Sequence, residues 1–294
     1  MTAAAQVSHP QFVGVSLKMY FDHERTVRWC SDVAQIAAAH PAVVSGAVDL
    51  VVIPSFPQLQ AAVAVFDGTR VEVGAQNVSW EDAGAFTGEV SARQLAQVGC
   101  THVEIGHAER RRLFHENDEM LRAKVAAAVR NSLTPILCVG EHEPDGVEAA
   151  ARLCVDQLDE MTRTVTSSLG GFRAVVAYEP EWAIGAEQPA SLEHIRGVCS
   201  QIKRWLDEHP QLGGSRVIYG GSAGPGLVTS LGESVDGVFL GRFAHQPEAV
   251  GGVLDEALTL AQDGMAQGRV AQVGTAQGTI AQGTTAQGQD VKSD

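Results

Sequence analysis

Four polar side chains stand at the ends of otherwise apolar stretches: Lys18 in "FVGVSLKM", His107 in "HVEIGH", Glu179 in "FRAVVAYEP" and Ser222 in "RVIYGGS". A carboxylate and an imidazole are the groups that move protons near neutral pH. An ammonium beside them would hold negative charge as it develops. An ammonium is also costly to bury alone, so Lys18 calls for a partner.

The stretches that carry these residues read as β-strands. In "FVGVSLKMYF" Val13, Val15, Leu17 and Met19 fall on one side, and Gly14, Ser16 and Lys18 on the other. That is the period of a strand, and it gives Ser16 and Lys18 one face. Further strand candidates are "VDLVVIP", "RVEVGAQN", "HVEIGH", "PILCVGE", "FRAVVAYEP", "RVIYGGS" and "VDGVFLG". Helical patterns lie between them, as in "ENDEMLRAKVAAAVRNS", "GVEAAARLCVDQLDEMTRTV" and "SLEHIRGVCSQIKRWLDEH". This alternation predicts an α/β parallel sheet, and eight such units is the count of a closed (β/α)8 barrel. An open doubly wound sheet would place a glycine-rich dinucleotide turn after its first strand, and "SLKMYFDHERT" has none. The expected fold is therefore a single-domain TIM barrel, whose active groups gather at the C-terminal strand ends. The four polar residues occupy four such ends.

Composition narrows the function classes. A net charge of −14 argues against general affinity for nucleic acid or anionic membrane, so any anion site must be local. Five scattered cysteines without a CxxC suit reduced thiols in a cytoplasmic protein better than a disulfide framework or a zinc site. The N-terminus "MTAAAQVSHP" does not read as a signal peptide, and no apolar run reaches the length of a membrane span. From residue 261 the chain reads AQDGM AQGRV AQVGT AQGTI AQGTT AQGQD, then VKSD. A period of five is neither helical nor extended, and large apolar residues are few. The expected division is a folded domain over 10–260 and a disordered low-complexity tail over 261–294.

Taken together, the motifs resemble the triosephosphate isomerase family. The resemblance rests on "KM" at 18–19, "GAQNVSWEDAGAFTGEVS" at 74–91, "IGHAERR" at 105–111 and "PILCVGE" at 135–141. It continues in "AYEPEWAIG" at 177–185, "YGGS" at 219–222 and "DGVFLG" at 236–241. These run in order from about residue 12 to 255. The resemblance implies an aldose–ketose isomerase acting through an enediolate, with Glu179 as carbon base and His107 as electrophile. It makes Lys18 the fixed cation, paired with Glu109. Gly185, Ser222 and Gly241 would cradle the phosphate, and 180–190 would form a mobile lid. The segment 76–90 would enter a neighbouring subunit of a homodimer and bring Thr87 near that subunit's site. No metal or organic cofactor is required by this chemistry.

Four departures from the family pattern cluster around the expected site. Ser16 stands where the family has a substrate-contacting asparagine, and Arg242 replaces a glycine beside the phosphate site. Ala186-Glu187-Gln188 replaces the Thr-Gly-Lys lid tip, and Ala108 replaces the serine after the catalytic histidine. The proton-transfer residues are retained, but the groups that measure the substrate are altered. A smaller residue at 16 could admit an extra hydroxymethyl group, and Arg242 could re-anchor a shifted phosphate. The expected substrate is a four-carbon ketose phosphate such as L-erythrulose 1-phosphate. Interconversion of dihydroxyacetone phosphate and glyceraldehyde 3-phosphate is the alternative reading. A barrel that binds a sugar phosphate without turnover is the third.

Overall fold

The computed structural model describes residues 10–263. Eight parallel strands close into a barrel in sequence order. They are β1 (Gln11–Ser16), β2 (Val48–Ile53), β3 (Glu72–Ala75), β4 (His102–Ile105), β5 (Thr134–Val139), β6 (Val175–Tyr178), β7 (Arg216–Ala223) and β8 (Gly237–Leu240). Closure is made by β1 against β8, with Val13 opposite Val238 and Gly14 opposite Phe239. All eight expected strands are present, and helices connect them.

Both faces of the strands are covered, which is why they read as near-continuous apolar runs. Alternate residues turn inward: Phe12, Val51, Ile53, Ile136, Cys138, Val175, Ala177, Ile218 and Phe239 form one buried cluster. Their neighbours Val13, Val15, Val52, Val103, Ile105, Val139 and Val176 join the larger core with the surrounding helices. Gly14 belongs to the inward set for a steric reason. A Cβ there would stand 2.6 Å from Cδ2 of Phe239, so glycine leaves the room that ring occupies.

Two sequence expectations shift at their boundaries. The first strand ends at Ser16 rather than continuing through Met19. Lys18 takes a left-handed φ of 48°, so the strand period does not reach it, and Met19 is exposed instead of joining the apolar face. The Gln76 side chain steadies this turn by donating Nε2–H to the carbonyls of Ile53 and Lys18, at 3.1 and 2.9 Å. The helix expected to end near Val165 runs over Val147–Leu169 and stops at Gly170, whose φ of 85° suits glycine. The helices Asp118–Arg130 and Leu192–Asp207 begin on side-chain caps from Asn117 and Ser191, at the starts of the two helical stretches read from the sequence.

A helix beginning at 247 continues through 263, with Ala261 packed against the domain. The first three residues of the pentapeptide region are thus helical, and the remaining repeats lie outside the described residues. Among the described residues no helix is long and apolar enough to cross a membrane.

Candidate active site

At the C-terminal mouth of the barrel lies a cavity of about 650 Å³. Its lining includes Ser16, Lys18, His107, Glu109, Glu179, Gly185, Ser222, Gly241 and Arg242. Every residue given a catalytic, binding or supporting role from the sequence is therefore brought to one place except Thr87, while Ala108 and Gln188 among the four departures lie outside this lining. Thr87 is exposed on the 76–90 segment and is not part of this lining. The root of that segment is fixed by buried polar contacts. Lys124 Nζ donates to Asn77 at 2.9 Å and pairs with the buried Glu116 at 2.5 Å.

His107 follows β4 and caps the helix Ala108–Phe114, where its Nδ1 accepts the backbone N–H of Glu109 at 3.1 Å. Its Nε2 faces Glu179 Oε2 at 3.3 Å, and both side chains are buried. Burial lowers the proton affinity of the ring, but the Glu179 carboxylate, with Glu104 behind it, outweighs burial and pulls the pKa up to about 9. A second ring proton would have to sit on Nδ1, which already accepts an N–H. The capping contact opposes that pull: with Nδ1 occupied as an acceptor, the ring is held in the neutral form that carries its hydrogen on Nε2.

Glu179 follows β6 and is placed by what its neighbours lack. A Cβ on Gly220 would stand 2.7 Å from Glu179 Cγ, so the glycine of β7 makes room for the carboxylate. A Cβ on Gly140 would collide with the Glu179 carbonyl. Beneath the carboxylate, Cys138 Sγ lies 3.9 Å from Oε1. Burial pushes that thiol well up, so it stays protonated and can offer a weak S–H donor.

Lys18 Nζ donates to Glu109 Oε1 at 2.6 Å. Burial alone would lower the lysine pKa, but the Glu109 hydrogen bond and charge outweigh it and raise it above the usual value. Burial works the other way on Glu109, and Lys18 outweighs it there too, holding that carboxyl below its usual range. Both stay charged across the neutral range, which supplies the partner Lys18 required.

The 180–190 segment is fastened over the cavity. The Ser222 hydroxyl is shared between the carbonyls of Ala183 and Ala186, at 2.8 and 3.0 Å. Tyr219 Oη accepts the Ala190 N–H at 3.0 Å, and Arg242 Nη2 donates to the Gly185 carbonyl at 2.7 Å. Arg242 thus touches the backbone of the 180–190 segment while lining the cavity, at the start of the short 3₁₀ turn Arg242–His245.

Two carboxylates escaped the sequence reading. Glu141, just after β5, is buried and accepts from Tyr178 Oη at 3.1 Å and Trp182 Nε1 at 3.0 Å. It also lies 3.0 Å from His194 Nε2, tying the base of the 180–190 segment to the barrel. Glu104, inside β4, accepts the Ser16 hydroxyl at 3.1 Å. Burial pushes its carboxyl up to about 7. The available signal was a charged residue between Val103 and Ile105 in an apolar strand. Among the described residues no group of three His, Cys, Asp or Glu side chains is gathered to hold a metal ion.

A buried carboxylate, a neutral imidazole with its hydrogen facing it, and an ammonium on one rim form a set suited to proton transfer at carbon. Comparison with known proteins agrees. The family profile described as Triosephosphate isomerase matches residues 11–257. The chain is 48% identical over 249 residues to the L-erythrulose-1-phosphate isomerase of Pectobacterium atrosepticum, covering 85% of this chain and 96% of that one. It is 39% identical over 222 residues to the triosephosphate isomerase of Mycobacterium sp. (strain JLS), covering 71% and 83%. With the triosephosphate isomerase of Hahella chejuensis it shares 38% over 218 residues, covering 72% and 87%. The chain belongs to the triosephosphate isomerase family of aldose–ketose isomerases.

Proposed function

We propose that this protein isomerises a four-carbon ketose phosphate, with L-erythrulose 1-phosphate as the substrate. The observation that carries this reading is Ser16. It lines the cavity beside Lys18, His107 and Glu179, and its short side chain leaves space where the family's asparagine would reach. The activity for which the relative sharing 48% identity is named supports the same substrate. Relatives named triosephosphate isomerase at 39% and 38% identity favour a second reading, interconversion of dihydroxyacetone phosphate and glyceraldehyde 3-phosphate.

In this mechanism Glu179 removes a proton from the carbon beside the substrate carbonyl. His107 donates its Nε2–H to the carbonyl oxygen, and Lys18 stabilises the enediolate charge. Glu179 then returns the proton to the neighbouring carbon, completing an isomerisation with no change of oxidation state overall. The backbone of Gly185, Ser222 and Gly241 holds the phosphate, and Arg242 adds positive charge beside it. The lid excludes water and keeps the enediolate from losing phosphate.

The working form is a homodimer in the cytoplasm. Exposed Phe86 beside Thr87, with exposed Met19 and Tyr20 at the mouth, gives a partner's loop an apolar surface to cover. Five buried free cysteines suit a reducing compartment.

The test compares kcat/KM for L-erythrulose 1-phosphate and dihydroxyacetone phosphate in the wild type and in Ser16→Asn. The wild type should prefer the four-carbon ketose, and the variant should lose that preference by roughly tenfold or more. An unchanged ratio in Ser16→Asn would remove residue 16 as the discriminator.

A further inference from the structure

Ser16 and Glu104 form a hydrogen-bonded pair at the inner end of the cavity, and only one of them meets the substrate space. Ser16 lines the cavity and is 6% exposed. Glu104 lies behind it on β4, 3% exposed, and receives the serine hydroxyl at 3.1 Å. A serine has one hydroxyl hydrogen, and an ionised carboxylate can only accept. While Glu104 is ionised, the hydrogen is committed inward and the face of Ser16 toward the cavity is a pure acceptor.

We propose that Glu104 is a positioning residue that fixes the polarity of Ser16, so that the pair selects a substrate presenting a hydroxyl donor at this point of the cavity. This rests on the reading of the cavity as a sugar-phosphate site. A carbonyl, enediolate or phosphate oxygen placed against Ser16 would meet lone pairs and be repelled. A sugar hydroxyl would be received, and the four-carbon ketose phosphate carries one more of these than the three-carbon compound. The asparagine of the family pattern offers an amide N–H instead, so the exchange to serine backed by a carboxylate reverses the sign of the contact as well as its size.

The device has a built-in consequence. A protonated Glu104 becomes a donor to Ser16 Oγ, which frees the serine hydrogen to point into the cavity, and the selected polarity inverts. The charged and titratable groups facing Glu104 are Lys18 beyond β1, His107 beyond β4, Cys138 on β5 and Glu179 beyond β6. Burial is the largest influence on Glu104 and places its titration at about 7; Glu179 adds to it, while Lys18 opposes it, as would a proton on His107. Affinity for the hydroxyl-bearing substrate is therefore highest above this value and falls below it.

The experiment measures KM and kcat from pH 5.5 to 8.5 for the wild type, Glu104→Gln and Ser16→Ala, on both L-erythrulose 1-phosphate and dihydroxyacetone phosphate. The wild-type KM for the four-carbon substrate should rise about fivefold to tenfold on acidification, the worth of one hydrogen bond, with a smaller change in kcat. Ionisation of the substrate phosphate is common to all three proteins. Glu104→Gln should abolish the added step because its amide does not titrate. Ser16→Ala should abolish it too, because the carboxyl then has no hydroxyl to turn. The alanine variant alone suffices as the test if the glutamine variant does not fold. Wild-type and Ser16→Ala profiles that superimpose would overturn the proposal, as would a step retained by a folded Glu104→Gln. If the three-carbon substrate proves the better one but a KM step is present there and vanishes in both variants, the pair stands and the four-carbon reading falls. If the four-carbon substrate is preferred with no step, the substrate reading stands and the pair falls.

Discussion

His107 Nε2 faces Glu179 Oε2 across 3.3 Å, with both groups buried and the histidine's other nitrogen fixed on a helix N-terminus. The two are already within reach of one small molecule, with the proton on the histidine and the free electron pairs on the carboxylate. Glu179→Gln keeps the shape and removes the base. We expect kcat to fall about a hundredfold to ten-thousandfold while KM changes much less. Steady-state kinetics at fixed pH checks this, and a KM effect without a kcat effect would recast Glu179 as a binding group.

Gly220→Ala tests the placement of that base without touching it. The added methyl would stand 2.7 Å from Glu179 Cγ and 2.8 Å from its Oε1, so the carboxylate must move. A displacement of this size should cost about a hundredfold in kcat. Thermal denaturation read alongside separates the effect from unfolding, since the residue that must give way is a side chain.

Glu104 makes a prediction about stability as well as specificity. Its carboxyl titrates at about 7 in the folded protein against 4.5 as the ordinary value. A raised carboxyl pKa contributes stability that is fully present below the unfolded value and is lost as pH rises through the folded one. Glu104→Gln should therefore compare more favourably with the wild type at pH 8 than at pH 5, by up to about 3 kcal/mol. Denaturant titrations at the two pH values measure it, and an equal difference at both would contradict the assigned burial cost.

The fastening of the lid predicts a leak. Tyr219→Phe removes the acceptor for the Ala190 N–H, and Ser222→Ala removes the donor shared by Ala183 and Ala186. Each variant should release more inorganic phosphate per turnover, by several-fold, because a looser lid holds the enediolate and its phosphate less firmly and lets the phosphate be eliminated. Phosphate assays against isomer formation decide the matter, with a ratio unchanged from the wild type as the contrary result.

Much of this site was legible because catalytic groups at strand ends interrupt apolar runs. Lys18, His107, Glu179 and Ser222 stood out for that reason, and their shared end of the barrel followed from eight repeated units. Glu104 did not stand out, since one carboxylate within four strand residues gives no sign of reaching Ser16 until closure sets which alternate residues point inward. Lys18 reached the site by a different route from the one its spacing suggested. The strand period put it on the Ser16 face, whereas a left-handed turn after Ser16, steadied by Gln76, carries it over the mouth. Glu141 was unreadable for a related reason: its partners Tyr178, Trp182 and His194 come from two later segments that only tertiary structure brings together. The retained proton-transfer residues pointed to the reaction, while Ser16 and Arg242 were the reasons to expect a four-carbon substrate.

Solvent hydrogen exchange joins the proposed substrate to the proposed base in one measurement. The wild type and Glu179→Gln are incubated in D2O with L-erythrulose 1-phosphate and, separately, with dihydroxyacetone phosphate, and deuterium at the carbon beside the carbonyl is followed by NMR. The wild type should label the four-carbon ketose at least roughly tenfold faster than the three-carbon one, and Glu179→Gln should label neither at a comparable rate. Faster labelling of dihydroxyacetone phosphate, or labelling that persists in Glu179→Gln, would contradict the account.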